Sequence, residues 1–220
     1  MDSQPLSSPL ASLIEDAWSN EITESLAHCG YYIKTNALPE RLIDELTLTA
    51  QDSKPQFQSA GIGRSDDHQI NQVIRNDTIH WITGTDQAQA IYLNEMELLR
   101  VAINRRLYLG LFDYEAHFAN YPIGGFYKKH VDAFKGQSNR VLTTVLYLNK
   151  HWREEDQGHL LLYNSKGSLI KSVLPDAGTL VIFLSEEFPH EVIPTARERL
   201  SIAGWFRINT STSDKVDPPT

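Results

Sequence analysis

His130, Val131 and Asp132 put an imidazole and a carboxylate two residues apart. On an extended strand, positions i and i+2 project to the same side, so both groups would address one point. A second imidazole, His190, follows 58 positions after Asp132, an interval long enough for several short strands to leave and return. Two histidines and one carboxylate make the facial set that suits Fe(II), and three protein ligands leave three adjacent positions open. A structural zinc site would instead close its shell with four ligands. A His-x-Asp word arises easily by chance in a chain with eight histidines, so its weight depends on what accompanies it.

Arg199 stands nine residues past His190 and opens the stretch RLSIAGWFRI. Alternation puts Arg199, Ser201, Ala203 and Trp205 on one face of that strand, and Leu200, Ile202, Gly204 and Phe206 on the other. A guanidinium at the start of a half-apolar strand points inward and needs a partner. Its fork matches a carboxylate through two parallel hydrogen bonds. The 5-carboxylate of 2-oxoglutarate is such a partner, since a keto acid can also occupy two open positions on iron. The alternative is an ion pair with Glu186, Glu187 or Glu191.

These residues need a scaffold, and the pattern after Gly110 supplies one. Short β-branched or aromatic runs near 115–121, 126–131, 141–148, 159–163, 169–173, 179–184, 190–194 and 199–208 are separated by Gly, Pro, Asn or Asp. Strands at this spacing predict a sandwich, barrel or jelly roll. Ahead of them the pattern is helical. Leu13, Ile14, Ala17, Trp18, Ile22 and Leu26 predict a helix over Leu10–Ala27 that Gly30 stops. Tyr31–Ile33 reads as a short strand, and Pro39 opens a second helix with Leu42, Ile43 and Leu46 on its apolar face. Tyr92, Met96, Leu99, Ile103 and Leu107 predict a third helix over about 85–109. Between them, residues 53–85 are polar and aperiodic except for IRNDTIHWI, which reads as one strand. A connection this long is either a lid or binding loop, or a surface insertion. Helices first and strands afterwards indicate an α+β chain with the helices packed on one sheet.

Composition narrows the function classes. The net charge of −8 gives no cationic face for phosphate, so nucleic acid is not an expected partner. No stretch approaches a membrane span and no export signal is seen, so the expected location is cytoplasmic with no membrane partner. The one cysteine, Cys29, is read as a small buried residue. His28, His68, His80, His117, His151 and His159 are read as structural or surface residues, since none has a second carboxylate at ligand spacing. No phosphate loop or Gly-x-Ser-x-Gly nucleophile elbow is present.

The order His-x-Asp, long gap, His, then Arg resembles the 2-oxoglutarate oxygenase superfamily. YPIGGFYKKHVDAF, RVLTTVLYLNKHW and FPHEVIPTARERLSIAGWF are similar to the prolyl hydroxylases that modify hypoxia-inducible factor, and to their bacterial relatives. The resemblance spans roughly 61–208. It implies a double-stranded β-helix (jelly roll, cupin-like) over 111–210, with 1–110 as N-terminal helices plus the substrate loop and strand, a flexible tail at 211–220, and a single domain overall. It also implies metal ligation by His130, Asp132 and His190, and 2-oxoglutarate binding by Arg199, Tyr147 and Tyr121 within apolar walls from Leu160 and Val145. Trp205, Arg75, Asp77 and Arg140 are implied on the substrate side, with Asp77 and Arg140 paired across the loop. Two pocket positions of the family are His117 and Ala203 here.

The expected activity is an Fe(II)- and 2-oxoglutarate-dependent dioxygenase that hydroxylates a prolyl residue in a protein, with decarboxylation to succinate and CO2. Ascorbate is expected as an accessory reductant. Family analogy makes elongation factor Tu the first candidate substrate. The alternatives are a hydroxylase of a free amino acid or other small molecule, and a non-catalytic metal- or ligand-binding jelly roll. Nucleic-acid demethylation fits poorly, because that branch carries Arg-x5-Arg and here Arg199 and Arg207 are eight apart.

Overall fold

Tyr92, Met96, Leu99 and Ile103 recur at helical spacing, and all four side chains are completely buried along helix α3 (Gln87–Leu107). Asp86 caps this helix, its side chain accepting from the Gln89 N–H at 3.0 Å. Tyr108 ends it in the left-handed region with φ 53°. The computed structural model describes residues 16–61, 73–133 and 139–211. Helix α1 (Asp16–Cys29) is the described part of the helix predicted from Leu10, and Gly30, at φ 78°, ends it with its N–H bonded to Leu26 O. Cys29 is exposed rather than buried, because it closes the outer end of α1, with its Sγ near Ser25 O and Tyr31 O. Helix α2 (Glu40–Asp52) begins directly after Pro39, its N-cap. It buries Leu42, Ile43, Leu46 and Ala50.

The strands form two antiparallel sheets. The larger runs β1 (Tyr31–Lys34), β9 (Leu180–Leu184), β6 (Arg140–Tyr147), β11 (Arg199–Ile208), β4 (Leu111–Tyr121), β3 (Thr78–Trp81) and β2 (Gln58–Ser59). The smaller runs β5 (Tyr127–His130), β10 (His190–Val192), β7 (Leu160–Tyr163) and β8 (Leu169–Val173). From β4 onward the chain passes back and forth between the two sheets, with only β7 and β8 consecutive in the same one, which is the winding of a double-stranded β-helix. Alternation divides the large sheet cleanly. Phe118, Leu142, Leu146, Ile182, Leu200, Ile202 and Phe206 face the three helices, whereas Ala119, Tyr121, Val145, Tyr147, Val181 and Phe183 face the small sheet. The site lies on that second face.

The predicted strand IRNDTIHWI is broken. Arg75 bridges Tyr127 of the small sheet, while Thr78–Trp81 pairs with β4 of the large one. Asn76 takes the Phe126 N–H on its side-chain oxygen at 2.8 Å, and the Asp77 carbonyl takes the Ala60 N–H at 3.0 Å. These bonds turn the chain from one sheet to the other. Residues 10–15 of the first predicted helix, 62–72 of the proposed lid and 212–220 of the tail lie outside the described residues.

Gly204 has a packing reason in the middle of β11. A Cβ there would lie 2.1 Å from the Tyr114 hydroxyl, which is hydrogen-bonded to Tyr92 Oη and Thr144 Oγ1, each at 2.7 Å. Gly204→Ala is expected to cost about 1–3 kcal/mol through overpacking. That corresponds to roughly 3–10 °C in the thermal midpoint of a chain this size. An unchanged midpoint would mean that the tyrosine pair can move aside at no cost.

Candidate metal centre and co-substrate pocket

His130 closes β5, and His190 opens the neighbouring β10 directly across from it in register. Asp132 lies just past the end of β5, so a bend after the strand, rather than strand alternation, carries its carboxylate round to the histidines. His130 Nε2 lies 3.4 Å from Asp132 Oδ1, and His190 Nε2 lies 3.6 Å from Asp132 Oδ2. Candidate ligand atoms of all three residues fall within 4.8 Å of one another. Cis ligands at metal bonds of about 2.1 Å stand about 3 Å apart, so the cluster needs little contraction to hold an ion.

Each histidine is oriented for this. His130 Nδ1 is 2.8 Å from Lys128 O, and His190 Nδ1 is 3.0 Å from Phe188 O. A ring N–H donated to a carbonyl leaves Nε2 as the lone-pair donor toward the cluster. Burial first, and then the neighbouring His130, hold the His190 imidazolium pKa down to about 4, so this ligand is neutral at physiological pH. Burial pushes the Asp132 carboxyl up, but His190, His130 and Arg140 outweigh it and hold it well below the usual range. A neutral imidazole and an ionised carboxylate are the forms a divalent cation binds.

Sequence reasoning missed two supports. Thr143 Oγ1 donates to Asp132 Oδ2 at 2.8 Å and is hydrogen-bonded to Ser185 Oγ at 2.8 Å, so the large sheet fixes the carboxylate. The available signal was parity, since Thr143 shares a face of β6 with Val145 and Tyr147. Tyr127 stacks on His130 with ring centres 3.6 Å apart, and the Arg75 guanidinium covers Tyr127 at 4.3 Å. Thr143→Val removes a hydrogen bond to a ligand oxygen and preserves shape. It is expected to weaken Fe(II) affinity roughly tenfold, within the 10–100-fold that outer partners of metal ligands contribute. Anaerobic Fe(II) titration checks this, and unchanged affinity would show that Asp132 is held by the chain bend alone.

Arg199 lies on the large sheet. It is 1% exposed, and its Nε and Nη1 donate to Gly158 O at 3.0 Å and Ser201 Oγ at 3.3 Å. Among the described residues no carboxylate pairs with it, and Glu191 instead accepts from Tyr163 Oη. The Arg199 guanidinium sits 4.8 Å from the Tyr121 ring centre and 5.0 Å from that of Tyr147. The Tyr147 hydroxyl is fully buried without a hydrogen-bond partner among the described residues. Burial pushes the Tyr147 phenol up to about 12, against the opposing charge of Arg199, so it remains an O–H donor. Val145 and Leu160 belong to the same buried cluster as Tyr121 and Tyr147. A buried cation and an orphaned donor on one apolar wall fit a carboxylate, and the ligand cluster faces them from the other sheet.

On the substrate side the expected partners are exchanged. Asp77 pairs with Arg75 at 2.7 and 2.5 Å, not with Arg140. Arg140 reaches Glu115 at 2.8–2.9 Å and lies over the Trp205 ring at 3.5 Å. The reason is local: the chain turn at Asn76–Asp77 brings Arg75 onto both carboxylate oxygens, whereas Arg140 spans β11 to the next strand. His117, read as structural, lies on the same inner face as the predicted site residues.

Residues 116–207 match the family model of the 2OG-Fe(II) oxygenase superfamily. The chain is 33% identical over 154 residues to a hypoxia-inducible factor prolyl hydroxylase of Caenorhabditis elegans, covering 65% of this chain and 21% of that protein. It is 33% identical over 141 residues to the human prolyl hydroxylase EGLN3, covering 60% of this chain and 59% of the relative. It thus spans less than two thirds of the length of either. Among solved structures, a Pseudomonas putida prolyl-4-hydroxylase aligns with a TM-score of 0.79 and 39% identity, covering 86% of this chain and 98% of that one. A Trichoplax adhaerens prolyl hydroxylase, solved with a hypoxia inducible factor oxygen degradation domain peptide, aligns with a TM-score of 0.77 and 26% identity. That match covers 87% of this chain and 89% of the other. Among the described residues no helix is long and apolar enough to cross a membrane.

Proposed function

The chain belongs to the 2OG-Fe(II) oxygenase superfamily, and we propose that within it the protein hydroxylates a prolyl residue of a protein substrate, most simply at C4. The observation that carries the oxygenase reading is Arg199: a fully buried guanidinium without a carboxylate partner among the described residues, beside an orphaned tyrosine hydroxyl and facing a His-Asp-His cluster. A buried charge left uncompensated costs several kcal/mol, so this arrangement calls for an anion. The prolyl assignment draws on similarity to prolyl hydroxylases along almost the whole of one of them.

Fe(II) with 2-oxoglutarate and O2 would supply the oxidising chemistry: one oxygen atom of O2 would enter succinate as 2-oxoglutarate loses CO2, and the other would become the hydroxyl on the substrate carbon. The chain's own residues do the rest. His130, Asp132 and His190 hold the metal on one side and leave the other open. Arg199 forks onto the distal carboxylate while Tyr147 donates its hydroxyl. Val145 and Leu160 exclude water from the pocket. Trp205, backed by Arg140, forms the wall on the substrate side.

The Arg75–Asp77 pair belongs to this reading, because it lies where the chain crosses between the sheets beside Tyr127. Asp77→Asn keeps shape but removes the charge that holds Arg75. Peptide hydroxylation is expected to fall about tenfold, since hydrogen bonds to charged groups contribute roughly 1.5–3 kcal/mol. Succinate formation without peptide should persist. Equal loss of both activities would mean that the pair acts through the Tyr127 ring stacked on His130 rather than on the peptide.

The function is tested by incubating the protein with Fe(II), 2-oxoglutarate and a cytosolic extract, then seeking one added oxygen on a prolyl residue by peptide mass spectrometry. Succinate with a hydroxylated free amino acid and no peptide product would favour the small-molecule alternative. A cytoplasmic protein is the substrate class to try first, with elongation factor Tu leading it by analogy with bacterial relatives and ascorbate included as accessory reductant.

A further inference from the structure

His117 sits on β4 with Ala203 of β11 and Trp81 of β3 as its register partners. Its ring meets Trp81 edge-on at 5.1 Å and Trp205 at 5.3 Å. Trp81 is 45% exposed, whereas His117 and Trp205 are 4% and 7% exposed, so the pair lies just behind a rim open to solvent. His117 Nδ1 and Trp205 Nε1 are both buried, and neither has a hydrogen-bond partner among the described residues. Both side chains project to the face that carries Arg199, Tyr147 and Thr143.

A buried polar atom without a partner is unfavourable, and two side by side on a pocket wall mark a place where a ligand completes the bonding. The indole N–H can only donate, and a neutral imidazole carries one N–H as well. One carbonyl oxygen, with two lone pairs, satisfies two such donors. We propose that His117 and Trp205 together bind a backbone carbonyl of the substrate next to its target proline, making His117 a specificity-determining residue that favours a peptide over a free amino acid. The inference rests on the prolyl-protein reading above. A prolyl segment suits the pair, because proline contributes a carbonyl but no N–H. A free amino acid would offer a carboxylate instead, whose full charge these two donors alone would not balance. The nearby guanidinium groups are already engaged, Arg75 by Asp77 and Arg140 by Glu115. Burial, with Arg75 and Arg140 nearby, holds the His117 pKa down to about 3, which keeps the ring neutral.

The test uses protein with 15N-labelled tryptophan, loaded with Zn(II) in place of iron and with 2-oxoglutarate. Its indole signal for Trp205 is assigned from Trp205→Phe. Titration with acetyl-Ala-Pro-Ala-amide is expected to shift that signal saturably, and free L-proline is not. His117→Leu should weaken the peptide about tenfold, and His117→Gln, which retains an N–H donor, should recover to within about threefold of wild type. The KM for 2-oxoglutarate and peptide-free succinate formation, measured with Fe(II), should stay unchanged in both variants. Equal peptide affinity in all three proteins, an equal response to L-proline, or no saturable shift with the capped peptide overturns the proposal. If wild type still hydroxylates a prolyl protein in those cases, this inference alone falls. If it hydroxylates only a free amino acid, the functional reading falls with it.

Discussion

Asp132→Ala is expected to abolish both succinate formation and hydroxylation while leaving the fold intact. Asp132 is the only carboxylate in the cluster and lies between two imidazoles. Its removal takes away the negative charge and the third facial position together, and two neutral imidazoles bind Fe(II) weakly. Loss of a partner behind a ligand already lowers affinity 10–100-fold, so loss of the ligand itself should exceed about a hundredfold. His190→Ala should behave in the same way. The check is turnover at saturating Fe(II), beside the circular dichroism and thermal midpoint of the metal-free protein. Full succinate production by either variant would show that the metal sits elsewhere.

The second large effect is at Arg199. Arg199→Lys keeps the charge but loses the planar fork, and an ammonium cannot serve Gly158 O, Ser201 Oγ and a carboxylate in the same geometry. The KM for 2-oxoglutarate is expected to rise about tenfold to a hundredfold, corresponding to roughly 1.5–3 kcal/mol. Fe(II) affinity should be unchanged. Tyr147→Phe should raise the same constant less, because one neutral donor is lost. An unaltered KM in Arg199→Lys would mean that Arg199 has a purely structural role.

The residues brought together here differ in how far they could be read from the chain. Arg199 and Trp205 were legible as neighbours on one face because alternation along β11 assigns it, whereas Tyr147 was placed by the family resemblance alone. His130 and Asp132 were legible as a pair for an incomplete reason: the strand ends at His130, and a bend does the rest. The partner of Asp77 was misassigned because ion pairing depends on where a strand breaks, and IRNDTIHWI carries no Gly or Pro to mark that break. Thr143 looks like any β-branched strand residue until register sets it opposite Trp205 and beside the exit of β5. Cys29 was misplaced because the last residue of a helix can face either way. The helices were the easiest part, since burial of Leu42, Ile43 and Leu46 or of Tyr92, Met96, Leu99 and Ile103 follows from a single period.

The division of labour between the sheets has a thermodynamic consequence. The three metal ligands come from the small sheet and its edge, whereas Arg199 and Tyr147 belong to the large one. On the proposed assignment, metal and keto acid bound together would fasten one layer of the sandwich to the other. By linkage, each hundredfold excess of ligand over its dissociation constant adds about 2.7 kcal/mol to the stability of the folded chain. The added stability should fall unevenly: amide exchange in β5 and β10 should slow far more than in α2 or α3, which pack on the opposite face. Release of succinate would then undo part of that fastening once per turnover, so the small sheet would tighten and relax in step with the catalytic cycle.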